Sequence, residues 1–89
     1  MQTQKIDIDV MQARLDRTEK VDYKGTKLTI ASVDRDRDRL YLAISDLTIS
    51  DEHEIFTITE ENILSRSNNR KTTTAEKYLR ELAQEISAR

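Results

Sequence analysis

Three stretches of this 89-residue chain carry side chains whose type and spacing could do chemistry. The first is Asp34-Arg35-Asp36-Arg37-Asp38. Its alternating carboxylates match the opening of a calcium-binding loop, which also needs a glycine at its sixth position and a glutamate at its twelfth. Counted from Asp34, those positions hold Arg39 and Ser45, and the interleaved Arg35 and Arg37 would repel a cation. Phosphate contact by the arginines is weakened in turn by the aspartates between them, since phosphate binding needs net positive potential. What remains is pairing within the stretch, or with a protein of complementary charge pattern. Arg35, Asp36 and Arg37 are therefore candidate protein-contact residues.

The second stretch, Ser65 to Thr74, has no acidic residue and carries Arg66, Arg70 and Lys71. These three are the candidate nucleic-acid contacts. The chain holds only four aromatic side chains (Tyr23, Tyr41, Phe56 and Tyr78), so a stacking platform for single strands is poorly supplied. The third is Asp7 with Asp9, a carboxylate pair that invites general acid–base chemistry. Catalytic carboxylates need a cleft that drives their pKa values apart. These two alternate with Ile6, Ile8 and Val10, a pattern that places them on the solvated face of an edge strand, where they deter edge-to-edge pairing. His53 stands between Glu52 and Glu54, and neighbours on a strand point to opposite faces, so the three do not form a metal site. With no Cys, one Gly and one His, the chain offers neither a thiolate nor a phosphate-cradling loop nor a nucleophile elbow. No enzyme activity, cofactor or metal is expected.

Composition narrows the classes further. Charged residues make up 36% of the chain, both signs are interspersed, and the net charge is -2. This is neither a polybasic nucleic-acid binder nor an acidic mimic of DNA. The longest apolar run, Leu40 to Ile44, is far too short to cross a bilayer, and no signal-type segment follows Met1, so a cytoplasmic protein is expected.

The elements that must position these residues are those of one small domain over residues 1–89. Residues 5–64 read as mainly β with short helical turns, 65–72 as a polar linker, and 73–88 as a helix. Lys5 to Val10 alternates as a strand, followed by helical turns from Met11 to about Arg17. A competing reading starts the helix at Asp9, with Gln12 completing a capping box. Lys20 to Tyr23 is a short strand, and Gly25 turns the chain through a position of positive φ. Lys27 to Val33 and Arg39 to Ile44 form the central hairpin. Leu28 and Ile30 share one face of it, as do Leu40, Leu42 and Ile44. Same-face matching requires opposed residue numbers to sum to an even value, as in Leu28 with Ile44 and Ile30 with Leu42. That predicts a three- or five-residue loop centred near Asp36, with an Asp or Arg in an unusual turn conformation. The other face, with Thr29, Ala31, Val33, Tyr41 and Ala43, is too apolar to be simply solvated. It suits a small barrel, or a sheet covered by a helix on one side.

The apolar parity changes after Ile44, from even to odd at Leu47 and Ile49, which calls for a bend near Ser45-Asp46 or a new strand. Glu54 to Ile58 is another strand, and Thr59 to Leu64 reads as one capped helical turn. Thr73 with Glu76 is a capping box, and Ala75, Tyr78, Leu79, Leu82, Ala83 and Ile86 make one apolar stripe of the terminal helix. Glu76–Arg80 and Lys77–Glu81 are favourable pairs on its exposed side. The succession of strands with a helical turn before the last one resembles small barrels of the Src-homology type, and implies a last strand within Leu64 to Ser67.

The expected fold is thus α+β: a four- or five-stranded antiparallel sheet or small barrel with a C-terminal amphipathic helix. The expected function is a small protein-binding module, a regulator, inhibitor or assembly subunit, whose size would suit a phage or mobile-element origin. Tyr78 and Leu82 are added as candidate contacts, because the helix stripe either packs on its own sheet or docks on a partner or a second copy. The alternative is nucleic-acid binding through the basic linker and the arginines of the hairpin tip.

Overall fold

The structure is a computed structural model and describes residues 5–46, 53–66 and 73–87. Its first element is helix α1, Ile8–Asp16. Asp7 is the N-cap: its Oδ1 accepts from the Val10 N–H at 3.1 Å and its carbonyl from the Met11 N–H at 2.9 Å. This corrects the strand expected over Lys5 to Val10, and the helix begins two residues before the competing Asp9 cap. Both periods fit the first apolar residues, but only the helical one continues, through Ile8, Met11 and Leu15, all buried. Val10, which alternation would turn inward, is exposed. Asp7 and Asp9 accordingly serve a helix N-terminus, where negative charge is favourable, and not a strand edge.

Five strands follow in a simple antiparallel meander: β1 (Lys20–Tyr23), β2 (Thr26–Asp36), β3 (Arg39–Asp46), β4 (His53–Ile58) and β5 (Ile63–Ser65), in the spatial order of the sequence. The sheet is open, with β1 and β5 at its edges, and does not close into a barrel. Lys24 and Gly25 make the two-residue turn between β1 and β2 with φ of 51° and 85°. Positive φ at both central residues is the turn whose twist matches the flanking strands.

The central hairpin departs from the expected register. Ile30 opposes Ile44 and Leu28 opposes Asp46, but Ser32 opposes Ala43, Val33 opposes Leu42 and Asp36 opposes Arg39. The shift falls at Ala31, a β-bulge that inserts one residue into β2. The tip is therefore a two-residue turn, Arg37-Asp38, in place of a three- or five-residue loop. Arg37 takes φ 56°, the unusual conformation the missing glycine imposes. The even-sum rule holds only at the base of the hairpin, where Ile30 opposes Ile44; the extra residue makes the sums odd from Ser32 to the tip, which is how Val33 comes to face Leu42.

On the inner face, Leu28, Ile30 and Val33 of β2 join Leu40, Leu42 and Ile44 of β3, Phe56 and Ile58 of β4 and Ile63 of β5. The bulge moves Val33, expected on the opposite face, into this set. Both helices cover it. From α1 come Ile8, Met11 and Leu15; from α2 (Thr74–Ser87) come Ala75, Leu79, Leu82, Ala83 and Ile86. The α2 stripe is thus core within the chain. Removing these side chains from water, at about 25 cal/mol per Å² of apolar surface, is the main force holding the two layers together.

The α2 N-terminus is fixed by Thr73, whose Oγ1 accepts from the Glu76 N–H at 3.3 Å and donates to Glu54 Oε2 at 2.9 Å. The Glu76 carboxylate turns instead to Arg80, 2.9 Å away, giving the expected i, i+4 pair. Glu81 lies 3.7 Å from Lys24 Nζ, tying α2 to the first turn. Beside it Tyr23 and Tyr78 meet edge to face at 5.7 Å between centroids. A hydrogen bond to Glu81 and burial raise the Tyr23 phenol above its ordinary value, and burial raises Tyr78.

Thr59 to Leu64 is not a helical turn. Thr59 Oγ1 does accept from the N–H groups of Glu61 and Asn62, as a cap would, but the Thr59 N–H donates to the Asn62 carbonyl at 2.9 Å. The cap geometry closes a hairpin loop, and β5 starts at Ile63. Ser65, expected in a linker, ends that strand, and the Arg66 N–H still donates to the Ile55 carbonyl at 2.8 Å. The rest of the linker, and the parity change at Leu47 and Ile49, lie outside the described residues. Among those described, no helix is long and apolar enough to cross a membrane.

Candidate functional site

The helices cover one side of the sheet, and no other described element packs on the opposite side. The ladder fixes what that side carries. Across β2 to β4, Thr29, Ser45 and His53 form one row, and Ser32, Ala43 and Ile55 the next, with Arg66 beside Ile55. Asp34, Tyr41, Thr57 and Leu64 form a third row, and Asp36 with Arg39 a fourth at the tip. Leu64 is 52% exposed and Ile55 37%, and neither belongs to the core cluster. Ala43 and Ser45, on the same side, are buried yet also outside that cluster.

The surface has a polarity across the strands. Asp34 and Asp36 border it on β2, Arg66 borders it beyond β5, and Tyr41, Ala43, Ile55, Thr57 and Leu64 occupy the middle. Apolar side chains bounded by charge of opposite sign on two margins can exclude water at the centre and set orientation at the rim.

The hairpin tip behaves differently from its sequence reading. Because of the bulge, Arg35 stands on the inner face, opposite Leu40, where the end of α1 lies over the sheet. Its Nη1 donates to Asp9 Oδ1 at 2.9 Å and to Gln12 Oε1 at 3.1 Å, and its Nε to the Arg37 carbonyl at 2.6 Å. One guanidinium thus pins the strained turn and the first helix together. Arg35 and Asp36, adjacent in sequence, are brought to opposite sides of the sheet. A mixed-charge cleft of about 520 Å³ adjoins this pin, lined among others by Lys5, Asp7, Asp9, Arg37, Asp38 and Glu60.

The other candidates separate in the same way. Leu82 is buried beneath the sheet, and Tyr78 is half-buried against Tyr23, so the helix stripe is largely occupied within the chain. Arg66 is exposed at the margin of the outer face. Arg70 and Lys71 lie outside the described residues. Asp34 and Asp36 are on β2 and Asp38 in the turn, and among the described residues no three His, Cys, Asp or Glu side chains gather as a metal site would need. His53 opens β4, exposed, opposite Ser45.

Ile55 and Leu64 are the residues the sequence reading did not single out. The signal for them was present: in Glu54 to Ile58 the core set is Phe56 and Ile58, which leaves Ile55 on the far face. Compared with known proteins, the chain matches no family model, no curated protein and no solved structure.

Proposed function

We propose that this chain is a non-catalytic protein-binding module, a regulator, inhibitor or assembly subunit, whose docking surface is the outer face of its sheet. The observation that carries this is the pairing of Leu64 and Ile55, both exposed, with a central strip of Tyr41, Ala43 and Thr57 between an acidic and a basic margin. The partner it fits is a protein with an apolar surface, carrying a basic group to meet Asp34 and an acidic group to meet Arg66. Such charges would orient the partner more than they would add affinity.

The experiment is affinity capture with the whole chain, comparing the parent with Ile55→Asp, Leu64→Asp and Arg37→Ala. The first two place a carboxylate on the docking strip and lose the partner, while the third, at the tip, keeps it. Circular dichroism confirms that each variant is folded. A partner retained by both outer-face variants would refute the assignment. If mixed-sequence DNA or RNA binds instead, weakening steeply with salt and with Arg66→Ala, the surface serves nucleic acid.

A further inference from the structure

The two edges of the sheet are finished differently, and we infer that the open one, β1, pairs edge to edge with the β1 of a second copy of this chain. This goes beyond the docking reading, which concerns the outer face and stands or falls separately. An edge strand presents unpaired N–H and C=O groups, a template for another strand unless something satisfies or covers them. In an antiparallel ladder these groups point alternately, residue by residue, to the neighbouring strand and to the free side. On β5 the Arg66 N–H donates to the Ile55 carbonyl and the Thr59 N–H to that of Asn62, so the Ile63 backbone points to the free side. Both of its groups are taken: the N–H donates to Asn62 Oδ1 at 3.0 Å, and the carbonyl accepts from Arg80 Nη2 at 3.3 Å.

The β1 edge is open. The Ile30 N–H donates to the Glu19 carbonyl at 2.8 Å, which makes Val21 and Tyr23 the strand residues bonded to β2. Lys20 and Asp22 therefore direct their N–H and C=O groups away from the sheet, and among the described residues nothing bonds to them. Their side chains are exposed and make no ion pair among the described residues.

Antiparallel pairing of two such edges closes about a two-fold axis perpendicular to the sheet. Three registers let the outward-pointing residues meet. Lys20 opposite Lys20 joins like charges and sets Asp22 against Thr18, whose N–H already donates to the Leu15 carbonyl. Asp22 opposite Asp22 joins like charges again and sets Lys20 against Lys24. Val21 opposite Val21 sets Lys20 against the second copy's Asp22, twice, with both backbone groups of each residue bonded across the axis. Charge and hydrogen bonding therefore select the same register. Within its own sheet Asp22 opposes Lys27, so its carboxylate comes to lie between two cations. On the inner side the two half-buried Val21 side chains, each already packed against its own core, meet at a non-hydrogen-bonded pair, where side chains approach most closely. The product is one continuous sheet that presents both outer faces on the same side.

With β1 only four residues long, the contact is small and belongs with transient interfaces, so it is read at concentrations up to about 1 mM. The test is sedimentation equilibrium of the whole chain from about 10 µM to 1 mM, with circular dichroism to confirm that each variant is folded. The parent mass rises toward twice that of the monomer. Asp22→Pro, which removes an N–H that β2 does not use, abolishes the rise. Lys20→Asp and Asp22→Lys each weaken association by about ten-fold at low salt, and their equimolar mixture regains it, because every cross-axis pair is again of opposite charge. Leu64→Asp, on the outer face, leaves the dimer intact.

A parent that remains monomeric at about 1 mM overturns the inference, as does a dimer that survives Asp22→Pro or a mixture that regains nothing. If the parent is monomeric and Asp22→Pro loses a captured protein, the edge serves an extended segment of that protein and the second copy is overturned. The docking reading fails separately, if the captured partner ignores Ile55→Asp and Leu64→Asp.

Discussion

Replacing Arg35 with alanine removes a side chain that joins the hairpin tip to the first helix. Three contacts go at once: those to Asp9, to Gln12 and to the Arg37 carbonyl. The Asp9 side chain is 86% exposed, so that ion pair belongs with surface pairs and contributes about 0.5 kcal/mol. Arg35 itself is 28% exposed, and its hydrogen bond to the Arg37 carbonyl, discounted for water that can replace it, contributes about 1 kcal/mol. Lost packing of its methylenes against the inner face adds roughly 0.5 kcal/mol. The expected loss is about 2 kcal/mol, or about 10 °C in Tm for a domain of this size.

Urea denaturation followed by circular dichroism measures the loss, and a double-mutant cycle with Asp9→Asn isolates the pair. The coupling should be about 0.5 kcal/mol at low ionic strength and fall as salt is added. Arg35→Lys keeps the charge but not the fork that reaches Asp9 and the carbonyl together, so it recovers less than half of the loss. If Arg35→Ala lies within about 0.3 kcal/mol of the parent, the guanidinium is a surface group and its role as a pin is refuted.

Two further outcomes follow from the β1–β2 turn. Gly25→Ala meets nothing within 4 Å of the added Cβ, so its cost is conformational alone: holding φ at +85° costs about 1 kcal/mol, read as a shift in urea midpoint with an unchanged slope. The Tyr23 phenol is held above its ordinary pKa by its hydrogen bond to Glu81 and by burial, and Glu81→Gln should bring its ionisation down in an ultraviolet titration. A phenol whose pKa is raised by folding contributes stability that is complete below the unfolded value and lost as pH rises through the folded one. The effect therefore belongs to the alkaline limb, and a Tyr23 whose ionisation Glu81→Gln leaves unchanged contradicts it.

How much of this was legible in the sequence differs by element. β1, β4 and α2 were, because each carries a single period and a clear boundary: Gly25 after Tyr23, and Thr73 before the helical stripe. Helix α1 was not. Ile6, Ile8 and Val10 satisfy a strand, and the deciding residue is Met11, which continues a helical stripe and breaks an alternating one. The Thr59 loop misled for a different reason, since a threonine accepting two successive N–H groups has the same local geometry in a loop as at a helix start. The candidate site was half legible. The excess of apolar residues on the second hairpin face was visible, but assigning Ile55 and Leu64 to that face required the register of β4 and β5. Arg35 and Asp34 could not be assigned sides without the bulge.

That bulge decides more than a register. Had the Leu28–Ile30 pairing continued to the tip, Asp34 would oppose Leu40 on the inner face, and Asp36 to Asp38 would form a three-residue loop. Asp34 would then lie beneath the α1 N-terminus, where Asp9 already stands, and two carboxylates would share a partly dry site with no cation between them. Arg35 would point outward opposite Arg39, a like charge, and lose its helix. One residue inserted at Ala31 reverses both placements. It supplies α1 with a cation on the side where its acids lie, and it gives the outer face an acidic margin opposite the basic one at Arg66. The stability of the tip and the charge pattern of the outer face therefore have the same cause. A sequence change that removed the bulge while keeping the chain folded would be expected to alter both together.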